Sequence, residues 1–372
     1  MNILITNLIL TGNTGTEMYV IELAIELKKR GHSVEVYTLS IGKSADLLRD
    51  HDINIVNKLK SLKKKPDIIH AHHNIVTALA ASYFRNTPIV FFVHDRKATY
   101  DYPFTHRNII KYLAVDYNCR ERYFLNTNFI NQNDVEVIFN WYNPARFRLK
   151  ENINDVPKKA LIFSNYMRKD NVFDSINSAC SQLNIKLDIV GQNSGTLNVF
   201  PEKILADYDI VFAKAKAGIE ALSTGASLIV CDFMGLAGMV LTENVERFRN
   251  YNFGMKLMTR SVTTDLIVDE LKKYDSKDVL FVSTYVRQNS NFTSIVTQLE
   301  ELYLNSINEY KLIGRGKYAY SLLNHSKIIF MTRDLYLFPY ILRMKFFKAL
   351  INILKTILHP IRKTKDTNTI NS

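Results

Sequence analysis

The sequence predicts an α/β chain of two Rossmann-like, doubly wound domains facing a cleft, with a C-terminal helical extension. Three observations carry this. Short apolar runs alternate with helix-length segments along most of the chain, the signature of parallel strands and their crossover helices. The alternation breaks at a polar stretch, Asn140–Asp155, which holds Pro144 and leads into Pro157-Lys158-Lys159, and then it resumes. A length of 372 residues also exceeds what one ordinary core supports. We therefore place one domain at residues 1–145, a second at 158–310 and the extension at 311–372. No internal sequence repeat relates the halves.

Asn2–Leu8 is a β-branched and leucine run that suits a strand buried on both faces. Thr11-Gly12-Asn13-Thr14-Gly15-Thr16-Glu17 follows as a strand-to-helix turn. A helix runs from about Glu17 to Arg30, with Val20, Ile21, Leu23, Ala24 and Leu27 at helical spacing. Lys28, Lys29 and Arg30 in its last turn and Gly31 just beyond are stop signals. Ser33–Leu39 completes a right-handed βαβ unit. The full G-x-G-x-x-G is absent and no acidic residue follows the second strand, which argues against a nicotinamide site. The alternation continues with strand Asp67–Ala71, helix Asn74–Phe84, strand Pro88–His94, helix Arg107–Tyr117, and short strands at Phe124–Asn128 and Val135–Phe139.

Past the boundary the order is strand Ala160–Ser164, helix near Val172–Leu183, strand Lys186–Val190 ending in Gly191, and a short helix at Pro201–Leu205. The stretch Leu205–Asp232 organises the second half: strand Tyr208–Ala213, polar loop Lys214–Gly218, helix Ile219–Ser223, strand Ser227–Cys231. A helix near Thr264–Lys273 and a long one at Val286–Glu309 follow. In the extension, Leu335–Pro360 sets Lys345, Lys348, Asn352 and Lys355 on one helical face against Phe346, Phe347, Leu350, Ile353, Leu354 and Ile357 on the other. That pattern fits a helix lying on anionic lipid, or one packed back on the body of the protein.

Composition narrows the function. Hydrophobic content of 47% with 23% charged residues excludes disorder, and a net charge of +12 suits an anionic partner. The basic residues are dispersed and form no nucleic-acid-binding module, so nucleic acid is not expected as that partner. Cys119, Cys180 and Cys231 are scattered and odd in number, which points to a reducing compartment without disulfides or a zinc site. The opening MNILITNLIL reads as a strand rather than a signal peptide, and no uncharged apolar run has membrane-spanning length. The expectation is a cytoplasmic protein, peripheral at the inner face of the cell membrane.

Candidate site residues gather where strands end. The Lys214–Gly218 loop opens onto a helix start, where unsatisfied backbone N–H groups and the helix dipole favour an anion; Lys214, Lys216 and Gly218 are the donors there. Glu220 beside them suits sugar or ribose hydroxyls. Gly12 and Gly15 open the first βα unit and are expected to contact ligand. Arg168 and Lys169, after Ala160–Ser164, supply a cationic pair for phosphate. His94 closes a strand at its carboxyl end and is the catalytic candidate. His70, His72 and His73 lack carboxylates at ligand spacing, so no metal is expected. Asp101, Tyr102 and His106 fall in an aromatic loop that reads as packing.

These residues resemble the two-domain GT-B glycosyltransferases, specifically a family-four-like branch, over about residues 1–255. NILITNLILTGNTGTEMYVIELAIELKKRGHSVEVYT looks like that family's start, and PDIIHAHH with PIVFFVHD is similar to its third and fourth strands. VIFNWYNPARF resembles the segment closing its N-terminal domain, with Asn140-Trp141 where Asn-Gly is usual. ADYDIVFAKAKAGIEALSTGASLIVCD resembles its donor-binding unit. The resemblance implies His94 near the donor sugar, Arg168 and Lys169 near the diphosphate, and Glu220 on the ribose. The family's first glutamate would lie eight residues before Glu220, where this chain has Phe212. Leu241–Gly254 is similar to a stretch of divergent members and carries no assignable chemistry. The implied activity is transfer of a sugar from a nucleotide-diphosphate sugar to a glycan or lipid-linked acceptor in bacterial surface polysaccharide synthesis. It would proceed with retention, with no metal and no cofactor beyond the nucleotide-sugar co-substrate. A sugar-nucleotide epimerase of the same fold, or an inactive binding or scaffold homologue, stand as alternatives.

Overall fold

Two large sheets, one after the other in sequence, build the protein, and a small parallel one pairs Ile9–Leu10 with Ser40–Ile41. The computed structural model describes residues 1–12, 14–126, 130–167, 172–195, 200–314 and 316. The first sheet holds seven parallel strands: β1 (Asn2–Thr6), β2 (Ser33–Tyr37), β3 (Asn54–Val56), β4 (Ile68–His72), β5 (Ile89–Val93), β6 (Ile109–Ala114) and β7 (Val135–Val137). They lie in the order β3-β2-β1-β4-β5-β6-β7, so the direction of winding reverses between β1 and β4. The second sheet holds β8 (Lys159–Phe163), β9 (Lys186–Val190), β10 (Ile210–Ala213), β11 (Ser227–Asp232) and β12 (Gly235–Met239), in the order β9-β8-β10-β11-β12. Only β12 among them runs antiparallel. Its winding reverses between β8 and β10. Ligands of open α/β sheets bind at such reversals, outside the carboxyl ends of the strands.

Central strands are mostly apolar because helices cover both faces, with polar residues such as Thr6, His70 and His72 towards their carboxyl ends. Ile89, Val90, Phe91, Phe92 and Val93 are all fully buried, as are Leu228, Ile229, Val230 and Cys231. The covering helices used below are α1 (Gly15–Lys29), α2 (Asn74–Tyr83), α3 (Tyr117–Asn126), α4 (Phe173–Gln182), α5 (Ala215–Ser223), α6 (Val245–Asn250), α7 (Thr264–Leu271), α8 (Ser276–Asn289) and α9 (Phe292–Ile313). No helix among the described residues is long and apolar enough to cross a membrane. Leu335–Pro360 lies outside the described residues.

Four element assignments change. Residues 107–117, expected as a helix, contain strand β6, and Phe124–Asn128, expected as a strand, begins inside helix α3. An apolar run such as Ile109-Ile110-Lys111-Tyr112-Leu113 satisfies helical spacing and a two-face buried strand equally well. The helix start beyond it is signalled by Asp116, whose Oδ1 accepts the Cys119 N–H at 2.6 Å. Val286–Glu309 is two helices, broken at Ser290-Asn291, where the Asn291 side chain accepts the Thr293 N–H at 2.9 Å and caps α9. The loop expected at Lys214–Gly218 is a single residue, because α5 already begins at Ala215.

The chain crosses between the sheets at one place. Tyr142 leaves the first sheet and Ser290–Phe292 returns to it. The two passages are hydrogen bonded side by side, Tyr142 N–H to Ser290 O at 3.0 Å and Phe292 N–H to Tyr142 O at 3.1 Å. Helix α9 then lies on the first sheet. Tyr303 Oη meets His70 Nδ1 at 2.6 Å, and Glu300 holds both Arg30 (2.6 Å) and His32 (2.7 Å). Both sheets and α9 belong to one compact unit, Met1–Ala319.

Candidate active-site cleft

At the reversal of the first sheet the strand ends are aromatic and basic. His72 closes β4, with its backbone N–H on Thr6 Oγ1 at 3.2 Å. His94 follows β5, and its Nε2 lies 2.8 Å from His72 Nδ1. Tyr19 of α1 packs edge-on to both, at 5.2 and 4.7 Å between ring centres. Burial keeps these imidazoles neutral. It pushes His70 and His73 down to about 3, and it holds His72 and His94 well below the ordinary histidine range, with neighbouring histidines adding to the effect. His94 retains partial exposure at the cleft. Behind it, fully buried Asp101 accepts the N–H groups of His94 (2.9 Å) and Asp95 (2.7 Å), and burial raises its carboxyl to about 7. Arg122 pins the same loop through the carbonyls of Asp95 and Ala98. The aromatic loop after β5 thus shapes the cleft as well as packing.

The glycine turn before α1 is organised around an internal carboxylate. Glu17, 1% exposed, accepts the N–H groups of Thr11 (2.8 Å), Gly12 (3.1 Å) and Thr14 (3.0 Å). The Gly12 amide is therefore turned inward. Gly15 takes the first helical position, and a Cβ there would meet nothing within 4 Å, so the turn leaves open space on its outer side.

At the reversal of the second sheet stands Lys214, the N-cap residue of α5. Its ammonium pairs with Asp232, fully buried at the end of β11, and lies 4.7 Å from the centre of the Tyr166 ring. The next residue, Ala215, has φ +51°, and its N–H donates to the carbonyl of Phe253 at 3.0 Å. Asn252 and Phe253 are themselves left-handed, at φ +53° and +48°. Each such non-glycine residue costs about 1–2 kcal/mol. This is the contribution of the Leu241–Gly254 stretch: its end braces the start of α5. Gly218, in the second turn, donates to Lys214 O and lets the helix approach β11, since a Cβ would lie 2.8 Å from Leu228 Cδ2. The amides of Lys216 and Ala217 belong to the first turn, where a helix has no internal acceptors to offer.

Lys216 turns the other way, towards the first domain. Its Nζ lies 3.0 Å from Glu22 of α1, 3.3 Å from Glu220 and 3.2 Å from the Trp141 carbonyl. Glu22 also accepts Trp141 Nε1 at 3.0 Å and Arg146 at 2.8 Å. Burial opposes the Glu22 charge, but Lys216, Trp141 and Arg146 outweigh it and hold its pKa below the ordinary carboxylate range. Burial raises that of Glu220, with Lys216 opposing. Glu220 lies in the second turn of α5, nearly buried, rather than in the first. Asn140 to Asn252 (3.0 Å) and Glu121 to Lys256 (3.2 Å) add further contacts between the domains. Arg168 and Lys169 lie outside the described residues. Phe212 sits mid-strand in β10, paired in register with Ile162 and Ile229 and fully buried. With a one-residue loop, eight residues back from Glu220 falls inside the strand.

The comparisons agree with this architecture. The crystal structure of HepE from Anabaena in complex with UDP and glucose is similar at a TM-score of 0.59 and 14% identity, covering 82% of this chain and 100% of that one. The fold is GT-B. Sucrose-phosphate synthase from Thermosynechococcus elongatus shares the GT-B architecture at a TM-score of 0.55 and 11% identity, over 82% of this chain and 98% of its own. A protein from Listeria monocytogenes assigned as a UDP-N-acetylglucosamine 2-epimerase reaches 0.50 at 10% identity, over 86% and 99%. The Glycosyltransferase Family 4 model matches residues 13–146, within the first half of the GT-B chain. No curated protein sequence matches. Identities this low speak to fold, and one fold hosts several chemistries.

Proposed function

We propose that this chain is a glycosyltransferase that moves a sugar from a nucleotide-diphosphate donor to a hydroxyl of a glycan or lipid-linked acceptor. The observation that carries the reading is the α5 N-terminus at the reversal of the second sheet. Lys214 stands at its cap, and the histidine-lined strand ends of the first sheet belong to the same compact unit. The family 4 match over residues 13–146 supports it. A departing nucleoside diphosphate develops negative charge, and a preorganised cation and helix amides stabilise that charge by a few kcal/mol, typically about 3 per donor. Lys214 and the first-turn amides of α5 fill this role, together with Arg168 and Lys169. Gly12 and Gly15 border the donor from the first domain, Glu220 meets the ribose, and His94 faces the donor sugar as a neutral imidazole. Transfer proceeds with retention and without a metal or a further cofactor, in the synthesis of a bacterial surface polysaccharide. The basic, amphipathic stretch Leu335–Pro360 holds the enzyme at the anionic inner membrane face.

A thermal-shift series with UDP, GDP, ADP, CMP and dTDP tests the donor class. A ligand that binds only the folded chain raises its melting temperature by mass action, by about 2.7 kcal/mol of stability at a hundredfold excess over its Kd. One nucleoside diphosphate is expected to do so, and a flat response to all five removes the reading. Turnover of a sugar nucleotide alone, with no acceptor, would instead identify an epimerase. Vesicles containing phosphatidylserine should retain the full chain and release a chain cut before Leu335.

A further inference from the structure

We propose that Asp232 is the positioning residue for Lys214, and that this pair places a cation against the leaving diphosphate at the point where the second sheet reverses. The proposal rests on the glycosyltransferase reading and names a residue that reading does not contain. Asp232 is fully buried, with one carboxylate oxygen accepting the Phe233 N–H at 2.6 Å and the other against the Lys214 ammonium. A carboxylate is retained in such a place only with a partner, so Asp232 fixes where the ammonium stands. The ammonium carries three donors, and one faces Asp232. Tyr166 flanks it, yet the Lys214 side chain remains 22% exposed, which leaves it able to meet a ligand.

The backbone supports the same conclusion from another direction. Ala215, Asn252 and Phe253 meet at the base of Lys214 in left-handed conformations that side-chain-bearing residues avoid. Strain of this kind gathers where a group must be held in one place for function. Phe253 is buried in the core that also holds Val211, Ala213, Ile219 and Leu222, so the strained backbone at the base of Lys214 is anchored there while the Lys214 side chain stays partly exposed. With Phe212 buried inside β10, no carboxylate reaches the cleft from that position. Lys214, the whole of the loop, is what the strand-to-helix junction presents to the donor.

A double-mutant cycle in the full chain tests this, with pyrophosphate as the probe because it carries the diphosphate chemistry without a base. Asp232→Asn and Lys214→Met should each weaken pyrophosphate affinity about tenfold, and the double variant should lose no more than either alone. Melting temperatures measured alongside separate this from lost folding. Pyrophosphate affinity within twofold of wild type in Asp232→Asn, or losses that multiply in the double variant, overturn the proposal. Should Asp232→Asn fail to fold, Asp232→Glu keeps the charge and displaces the ammonium, and full pyrophosphate affinity in that variant overturns it equally. A wild type that binds its nucleoside diphosphate no better than the free nucleoside overturns the pair and leaves the transferase reading standing. A wild type that neither binds nucleotide nor transfers sugar overturns both.

Discussion

His70, His72 and His73 enter the fold without their protons, and this gives the protein an acid-sensitive core. In the unfolded chain each imidazole takes up a proton near pH 6.5, whereas the buried ring resists, His70 and His73 down to about 3. Between those values the unfolded state binds more protons, so stability is full above about 6.5 and is lost as the pH falls. Asp101 works in the opposite sense. Its carboxyl is raised to about 7, so its share is present at low pH and fades as the pH rises through 7. From pH 7.5 to 5.5 the buried imidazoles of His70, His72, His73 and His94 all lose stability while the single Asp101 carboxyl returns some, so the net change is a loss. Urea unfolding should therefore show the protein weaker at pH 5.5 than at pH 7.5, and equal stability at the two values would contradict the neutral cluster. The sequence placed His70 and His72 at a strand end and His94 at another, because a strand's carboxyl end is legible from its apolar run. It did not show that Tyr19 joins them, since that contact depends on how α1 lies over the sheet. Nor did the Gly12 spacing reveal that Glu17 takes the amides of its own turn.

Helices α1 and α5, from different domains, meet through Lys216. Glu22 is the shared acceptor of Lys216, Arg146 and Trp141, and removing its charge leaves Lys216 with Glu220 and Arg146 with Glu202 as their remaining carboxylates. Glu22→Gln should cost about 2 kcal/mol of unfolding free energy, the scale of hydrogen bonds to a charged group. Combined with Lys216→Met, the total should fall short of the sum by about 1 kcal/mol or more, because the two residues share one interaction. Strict additivity in denaturant unfolding would show that the pair does not join the domains. The alternation of strands and helices was readable because period and length separate most elements. It failed at Ile109–Ala114, where a run buried on both faces has no period of its own. It failed again at Ser290-Asn291, where a helix ends by tertiary pairing with Tyr142. Lys216 was legible as a loop cation, but its turn towards Glu22 comes from α5 starting four residues earlier than expected.

At the scale of the molecule, the paired crossing at Tyr142 and Ser290–Phe292 joins two sheets that each reverse their winding once. The crossing ties both domain connections together, and α9 returns to the first sheet, so the halves are held as one body around the cleft. The two large sheets were legible in the sequence from the strand–helix alternation on either side of Asn140–Asp155. The return of α9 was not, since a helix at the end of one domain carries no mark of the sheet it will cover. The proposed transfer requires a nucleoside diphosphate to seat between Lys214 and the histidine-lined strand ends. Backbone hydrogen exchange, measured with and without the nucleoside diphosphate selected by thermal shift, tests this most directly. Slowed exchange is predicted in both Ala213–Gly218 and the His94–Asp101 loop. Protection confined to one domain, or found away from both segments, would contradict it.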